Sequence, residues 1–213
     1  MNARRRDLFR SELPMTTQVH VLVFDGFADW EPAYAIAELR RRGHYEVIAV
    51  GFDAETVTSM GGLRVHPDRA LRDLRVEDVL IFIVPGGDLW EREAAYPRAQ
   101  LEDLLARVAK AGRPIAAICA GTLALARAGL LDDRRHTSNA PSYLSELVPS
   151  YRGATKYALG LAVRDRGVVT ASGLGAVDFA REIFAELQLF NADDAALWFD
   201  MFKHGKLPND VPA

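Results

Sequence analysis

Four short apolar runs divide this chain, and the stretches between them carry helical rather than strand periodicity. The runs are VHVLVFDGF (19–27), YEVIAVGF (45–52), VLIFIVPGG (79–87) and PIAAI (114–118). Each suits a strand in length, and VLIFIV is apolar at every position, as a strand covered on both faces must be. After the first run, WEPAYAIAELRRRGH reads as a helix with Asp29 at its N-cap, Pro32 in its first turn and Gly43 beyond its end. Before the fourth run, Leu101, Leu104, Leu105 and Val108 stand at i, i+3, i+4 and i+7, and Gly112 and Pro114 stop that helix. AGTLALARAGLL predicts a further helix closed by Gly129, RHTS a short strand, and LGLAVRDRGVVTASG a hairpin turning at Asp165, Arg166 and Gly167. AVDFAREIFAELQLF and ADDAALWFDMFKHG predict two last helices.

Strands alternating with helices specify an α/β fold, a mostly parallel sheet with helices on both faces. No repeat, low-complexity segment or linker interrupts 18–205, which reads as one domain. Residues 1–17 read as a disordered leader and 206–213 as a tail. The leader carries four arginines in its first ten residues, but Ser11, Glu12 and Pro14 follow where a signal peptide needs apolar sequence.

Composition narrows the function. Lys+Arg 26 against Asp+Glu 29 gives a net charge of −3, so no basic field invites nucleic acid. No window is apolar enough for a membrane span. The single cysteine allows no internal disulfide, which points to the cytoplasm. The five histidines show no metal-ligand spacing, and neither a metal nor another cofactor is expected.

That single cysteine, Cys119, stands where IAAI meets a helix beginning with the small Ala120 and Gly121. In a doubly wound sheet, active groups collect at the carboxyl ends of strands. A tight strand-to-helix turn lifts its central side chain out of the sheet and needs small neighbours. A helix N-terminus would favour the thiolate and lower the thiol below its free value of about 8.5. Free cysteine is also among the most buried residue types, so position alone leaves packing and chemistry evenly matched. Two further features favour chemistry. The glycines of VPGG, Gly86 and Gly87, let backbone N–H groups approach a ligand oxygen. Glu31, in the first helical turn after the first strand, either complements the helix dipole or points into the same crevice, where burial would keep it protonated.

VLVFDGFADWE, VLIFIVPGG, IAAICAGTLALARAGLL and VVTASGLGAVDFAREIF together resemble the DJ-1/PfpI superfamily, within the class I glutamine-amidotransferase-like fold. The resemblance runs from about residue 18 to 190. It implies a flavodoxin-like three-layer sandwich, commonly a homodimer, with Cys119 as reactive thiol and Glu31 as its protonated partner. Gly86, Gly87 and the Ala120 N–H match the family's oxyanion-binding positions. The wording CxxTLxLAxxGLL followed by HTSN is similar to a bacterial branch labelled amidotransferase-like or stress protein.

The departures are as informative. Ala120 stands where protease-type and chaperone-type members often carry histidine. Asn139 falls where other members place a histidine at the end of the next strand, and His136, three residues earlier, is expected on the opposite face. The late His-x-Glu of true glutamine amidotransferases is absent from SGLGAVDFAREI, which weakens that reading and leaves peptidase activity weak as well. Trp30 and Trp90 are candidate pocket walls or half-buried packing residues, Asp88 is a helix cap rather than a catalyst, and the glycines of GLG (173–175) form a turn or an anion contact.

The functional expectation is a cysteine nucleophile acting on a small electrophile, an aldehyde or a glycated adduct, in a stress-related role. The alternative is a redox sensor or stress-binding protein that works through oxidation of Cys119.

Overall fold

The computed structural model describes residues 18–92 and 95–207, so the leader and most of the tail lie outside the described residues. The elements are β1 (Gln18–Val23), α1 (Trp30–Arg41), β2 (Glu46–Gly51), β3 (Val57–Thr58), β4 (Arg64–Val65), β5 (Arg69–Ala70), β6 (Val79–Val84), α2 (Arg98–Lys110), β7 (Ile115–Ile118), α3 (Thr122–Arg127), α4 (Tyr143–Leu147), β8 (Ala162–Asp165), β9 (Val168–Ala171), α5 (Ala176–Glu186) and α6 (Ala192–His204). Seven strands form one sheet in the order β5-β2-β1-β6-β7-β9-β8, parallel except for β8, and β3 with β4 forms a separate ribbon.

Strand alternation sorts the core into two layers. Val19 and Val21 of β1, Ile81 and Ile83 of β6, and Ala116 and Ile118 of β7 face α1, α5 and α6 through Leu39, Phe179, Ile183 and Trp198. Leu22, Phe82, Val84, Ile115 and Ala117 face the other way, against Leu101, Leu104, Leu105 and Val108 of α2, Leu123 of α3 and Leu144 of α4. The result is the α/β sheet covered on both faces that the alternation of elements predicts, in the flavodoxin-like arrangement that the resemblance implies. Cys119, at the end of β7, packs against both layers. The chain winds outward from β1 to β2 and β5, then crosses back to β6. The winding direction therefore reverses between β1 and β6, and a crevice opens at the carboxyl ends of those strands. Among the described residues, no helix is long and apolar enough to cross a membrane.

Two local expectations need correction. RHTS forms no strand. His136 makes a single bridge to Tyr157, while Thr137 spends its N–H on the Thr170 hydroxyl and its own hydroxyl on the Gly160 carbonyl. The edge beside β9 is already filled by β8. Asp29 does occupy the N-cap position of α1, but its carboxylate accepts from the Ser59 hydroxyl and the Gly61 N–H, tying α1 to the loop after β3 instead of capping the helix. The β8–β9 hairpin turns on Arg166 and Gly167, both with positive φ (45° and 77°), the pattern of a type I′ turn.

Candidate functional site

The crevice is built from the ends of four strands. After β7, Cys119 adopts φ 56°, a left-handed conformation that costs a non-glycine residue about 1–2 kcal/mol and turns its side chain out of the sheet. The chain continues through a single 3-10 turn, Cys119–Gly121, into α3. Gly121 is small of necessity, because a Cβ there would lie 2.5 Å from the Val84 carbonyl oxygen. The loop after β6 is pinned from behind. The Trp90 indole N–H donates to the Pro85 carbonyl at 2.8 Å, and its ring packs edge-on against Phe24 and Tyr96.

Glu31, in the first turn of α1, is buried and accepts a hydrogen bond from the Gly86 N–H at 2.6 Å. A Cβ on Gly86 would meet Glu31 Oε2 at 2.7 Å and Cys119 Cβ at 2.8 Å, and one on Gly173 would meet Cys119 Sγ at 2.9 Å. The carboxyl and the thiol are thus clamped between two glycines that admit no side chain. Asn139 holds the open side. Its Nδ2 lies 3.4 Å from Cys119 Sγ as a donor, and its Oδ1 accepts from the Gly173 N–H at 3.0 Å. The second bond orients the amide with its N–H toward the sulfur.

Burial raises the Glu31 carboxyl to about 7, against the opposing hydrogen bonds from Gly86 and Cys119. Burial, and then the charge of an ionised Glu31, push the Cys119 thiol up, while the Asn139 amide and the Ala120 N–H pull it down without cancelling that rise. This corrects the expectation of a thiol lowered by a helix N-terminus. The helix is only six residues long, and desolvation together with the neighbouring carboxylate outweighs the hydrogen bonds from the Asn139 amide and the Ala120 N–H. Thiolate formation in this site is therefore tied to the protonation of Glu31. The Asn139 donor favours the thiolate. Asn139→Ala is expected to slow iodoacetamide alkylation of Cys119 at pH 7.5 by roughly threefold to tenfold, the worth of one hydrogen bond to the sulfur. An unchanged rate would remove Asn139 from the site.

The sequence candidates separate clearly in space. Glu31, Gly87, Cys119, Ala120 and Asn139 line one cavity of about 130 Å³, and Trp30, half exposed at 51%, stands at its mouth. The Gly86 N–H is already taken by Glu31, so of the two glycines only Gly87 presents its backbone to the cavity. Trp90 is no pocket wall. It is 0% exposed in the core behind the Pro85–Gly87 loop, where an aromatic cluster with Phe24, Phe52 and Tyr96 holds it. His136 is likewise remote from the sulfur. It is buried between Tyr151 and Tyr157, and its ring nitrogens pair with the Arg134 carbonyl and the Tyr151 hydroxyl. Asp88 opens a 3-10 turn without capping it and lines the cavity instead. Gly173 of the GLG turn serves Asn139 through its N–H. Tyr143, Glu91 and Met60 also line the cavity and carry no sequence signal, since each reaches it from a separate loop or short element. Among the described residues no group of three potential ligands is placed to hold a metal ion.

Comparison with known proteins places this geometry among relatives. The family model described as the DJ-1/PfpI family matches residues 17–186. The chain is 37% identical over 199 residues to the uncharacterized protease YoaZ of Bacillus subtilis, covering 90% of this chain and 93% of that protein. It is 31% identical over 121 residues to the deglycase PYRAB04690 of Pyrococcus abyssi, covering 57% of this chain and 71% of that one. The crystal structure of the DJ-1 superfamily protein Atu0886 from Agrobacterium tumefaciens superposes with a TM-score of 0.81 at 37% identity, covering 89% of this chain and all of that one.

Proposed function

The chain belongs to the DJ-1/PfpI family, and from that membership we propose that it is a cysteine-dependent enzyme acting on a small electrophilic carbonyl compound, with Cys119 as nucleophile and Glu31 as its proton partner. The observation that carries this reading is the clamped Glu31–Cys119 pair at a left-handed strand-to-helix turn. That conformation costs free energy, and simple packing of a small side chain gives no return for it. The finer assignment, a glyoxalase or deglycase type of reaction, follows from chemistry that needs only the groups at hand. The sulfur adds to the aldehyde carbon of a 2-oxoaldehyde, forming the S–C bond, while the carbonyl oxygen takes a proton from Glu31 and Glu31 takes up the proton that leaves the thiol. Moving a proton from the former aldehyde carbon to the neighbouring oxygen-bearing carbon, and the hydroxyl proton from the first oxygen to the second, converts the adduct into a 2-hydroxy thioester. Water then cleaves the S–C bond, releasing the 2-hydroxy acid and restoring the thiol. The Ala120 N–H and the backbone at Gly87 are the candidate donors to the developing oxyanion. With Asn139 in place of a histidine, no imidazole assists these transfers, and turnover is expected to be slow.

In this reading the protein works in the cytoplasm, where its single cysteine points, and as a homodimer, as the resemblance implies. The test is consumption of methylglyoxal followed by formation of the 2-hydroxy acid. Steady turnover that vanishes in Cys119→Ser supports the enzyme. Absence of any Cys119-dependent turnover removes it.

A second reading rests on Asn139. Two N–H donors and a protonated carboxyl around one sulfur would also hold the oxygens of a sulfinate, which suits a sensor that needs no general base. Peroxide treatment that adds two oxygens to Cys119, with no carbonyl turnover, would select this alternative.

A further inference from the structure

Resting on the reading of Cys119 as the reactive thiol, we infer that the cavity selects an electrophile carried on a cationic group, an ammonium or guanidinium, and rejects one carried on a carboxylate or phosphate. The charge of its walls is one-sided. Asp88 and Glu91 line the cavity as its exposed acids, beside the buried proton partner Glu31, and among the described residues lining it there is no lysine, arginine or histidine. Asp88 and Glu91 stand at the solvent-exposed rim, the part an approaching molecule meets first. Glu91 is held there, because the Tyr143 hydroxyl donates to its Oε1 at 2.9 Å. Burial and the neighbouring Glu91 push the Tyr143 hydroxyl up, so the phenol stays a neutral donor. The half-exposed Trp30 ring at the same mouth adds an aromatic surface of the kind that receives cations.

A narrow cleft walled by one sign of charge concentrates ions of the opposite sign and raises their encounter rate by about tenfold or more. Its effect falls on reagent choice and is separate from the reactivity of the sulfur. Asp88 and Glu91 are accordingly specificity-determining residues, with Tyr143 positioning Glu91.

The chain has one cysteine, so thiol reagents report on this cavity alone. The experiment measures second-order rates of the full-length protein with two methanethiosulfonates of opposite charge, one bearing trimethylammonium and one bearing sulfonate. The rate ratio cancels the thiolate fraction, which is common to both reagents. The same ratio for the urea-unfolded chain is the reference. The native protein is expected to favour the cationic reagent by about tenfold or more over that reference. Asp88→Asn/Glu91→Gln is expected to bring the ratio most of the way back, and Tyr143→Phe part of the way. A native ratio within twofold of the unfolded chain, or one unmoved in the double variant, would overturn the inference. Failure is separable from failure of the enzymatic reading, because labelling requires no turnover. A Cys119 inert to both reagents would sink the reactive-thiol reading and this inference with it.

Discussion

Glu31→Gln should leave the protein as stable as the wild type below pH 5 and make it more stable above pH 7, by about 3 kcal/mol. The carboxyl is buried, and burial raises it from 4.5 to about 7 in the folded state. A folded-state value above the unfolded one means that the native protein holds the proton more tightly. The stability this contributes is complete below pH 4.5 and is lost as pH rises toward 7, at about 1.4 kcal/mol per unit of displacement. Glutamine keeps an acceptor for the Gly86 N–H and never ionises, so the variant escapes the loss. Urea unfolding of both proteins at pH 5 and pH 8 measures it. His20, buried in β1 and held down to about 4 chiefly by burial, titrates across the same window with the opposite sign. It does so in both proteins, and the comparison between them isolates Glu31. Parallel stability curves would mean that Glu31 is ionised in the fold throughout, and the proton-partner role would fall with it. The same variant simplifies the thiol. Coupled groups titrate as a pair, so alkylation of the wild type should follow two inflections in pH and that of Glu31→Gln only one.

Trp90→Ala should cost about 3–5 kcal/mol, the usual loss for truncating a fully buried tryptophan, and in a chain of this size lower the Tm by roughly 10 °C. The ring is completely enclosed, edge-on to Phe24, Phe52 and Tyr96, and its N–H is the donor that holds the Pro85 carbonyl. Removing it leaves a cavity directly behind the loop that presents Gly86 to Glu31. Trp90→Phe separates the two contributions, because it restores most of the packing and none of the hydrogen bond. The phenylalanine variant is expected to recover most of the stability and to alkylate at Cys119 with an altered pH profile. A loss below about 1 kcal/mol in Trp90→Ala would show that the loop does not depend on this ring.

Trp90 also marks where sequence reasoning reaches its limit. Trp30 and Trp90 each follow a strand-end loop at the crevice, and composition treats them alike. The side on which each loop folds puts Trp30 at the mouth and Trp90 in the core. The RHTS segment has strand composition, yet whether a short polar run pairs depends on where the folded chain puts it, and β8 fills the edge beside β9. Tyr143 and Glu91, fifty-two positions apart in the chain, meet across the cavity through a hydrogen bond that no local pattern announces.

The elements whose cause is local are legible in the chain before it folds. Apolar runs of strand length, helices at 3.6-residue spacing and their glycine stops prescribe β1, α1, β2, β6, α2 and β7, and the alternation of those elements prescribes a parallel sheet covered on both faces. The sequence also singled out Cys119 and Glu31, because a doubly wound sheet sends strand ends to one crevice and both residues follow such ends. Tertiary structure alone decided how the sulfur behaves. Desolvation and the approach of a carboxylate are properties of residues brought together from β1, β6, β7 and β9. Electrostatic interaction depends on distance and burial in space, and the order of residues along a chain specifies neither until the chain has folded.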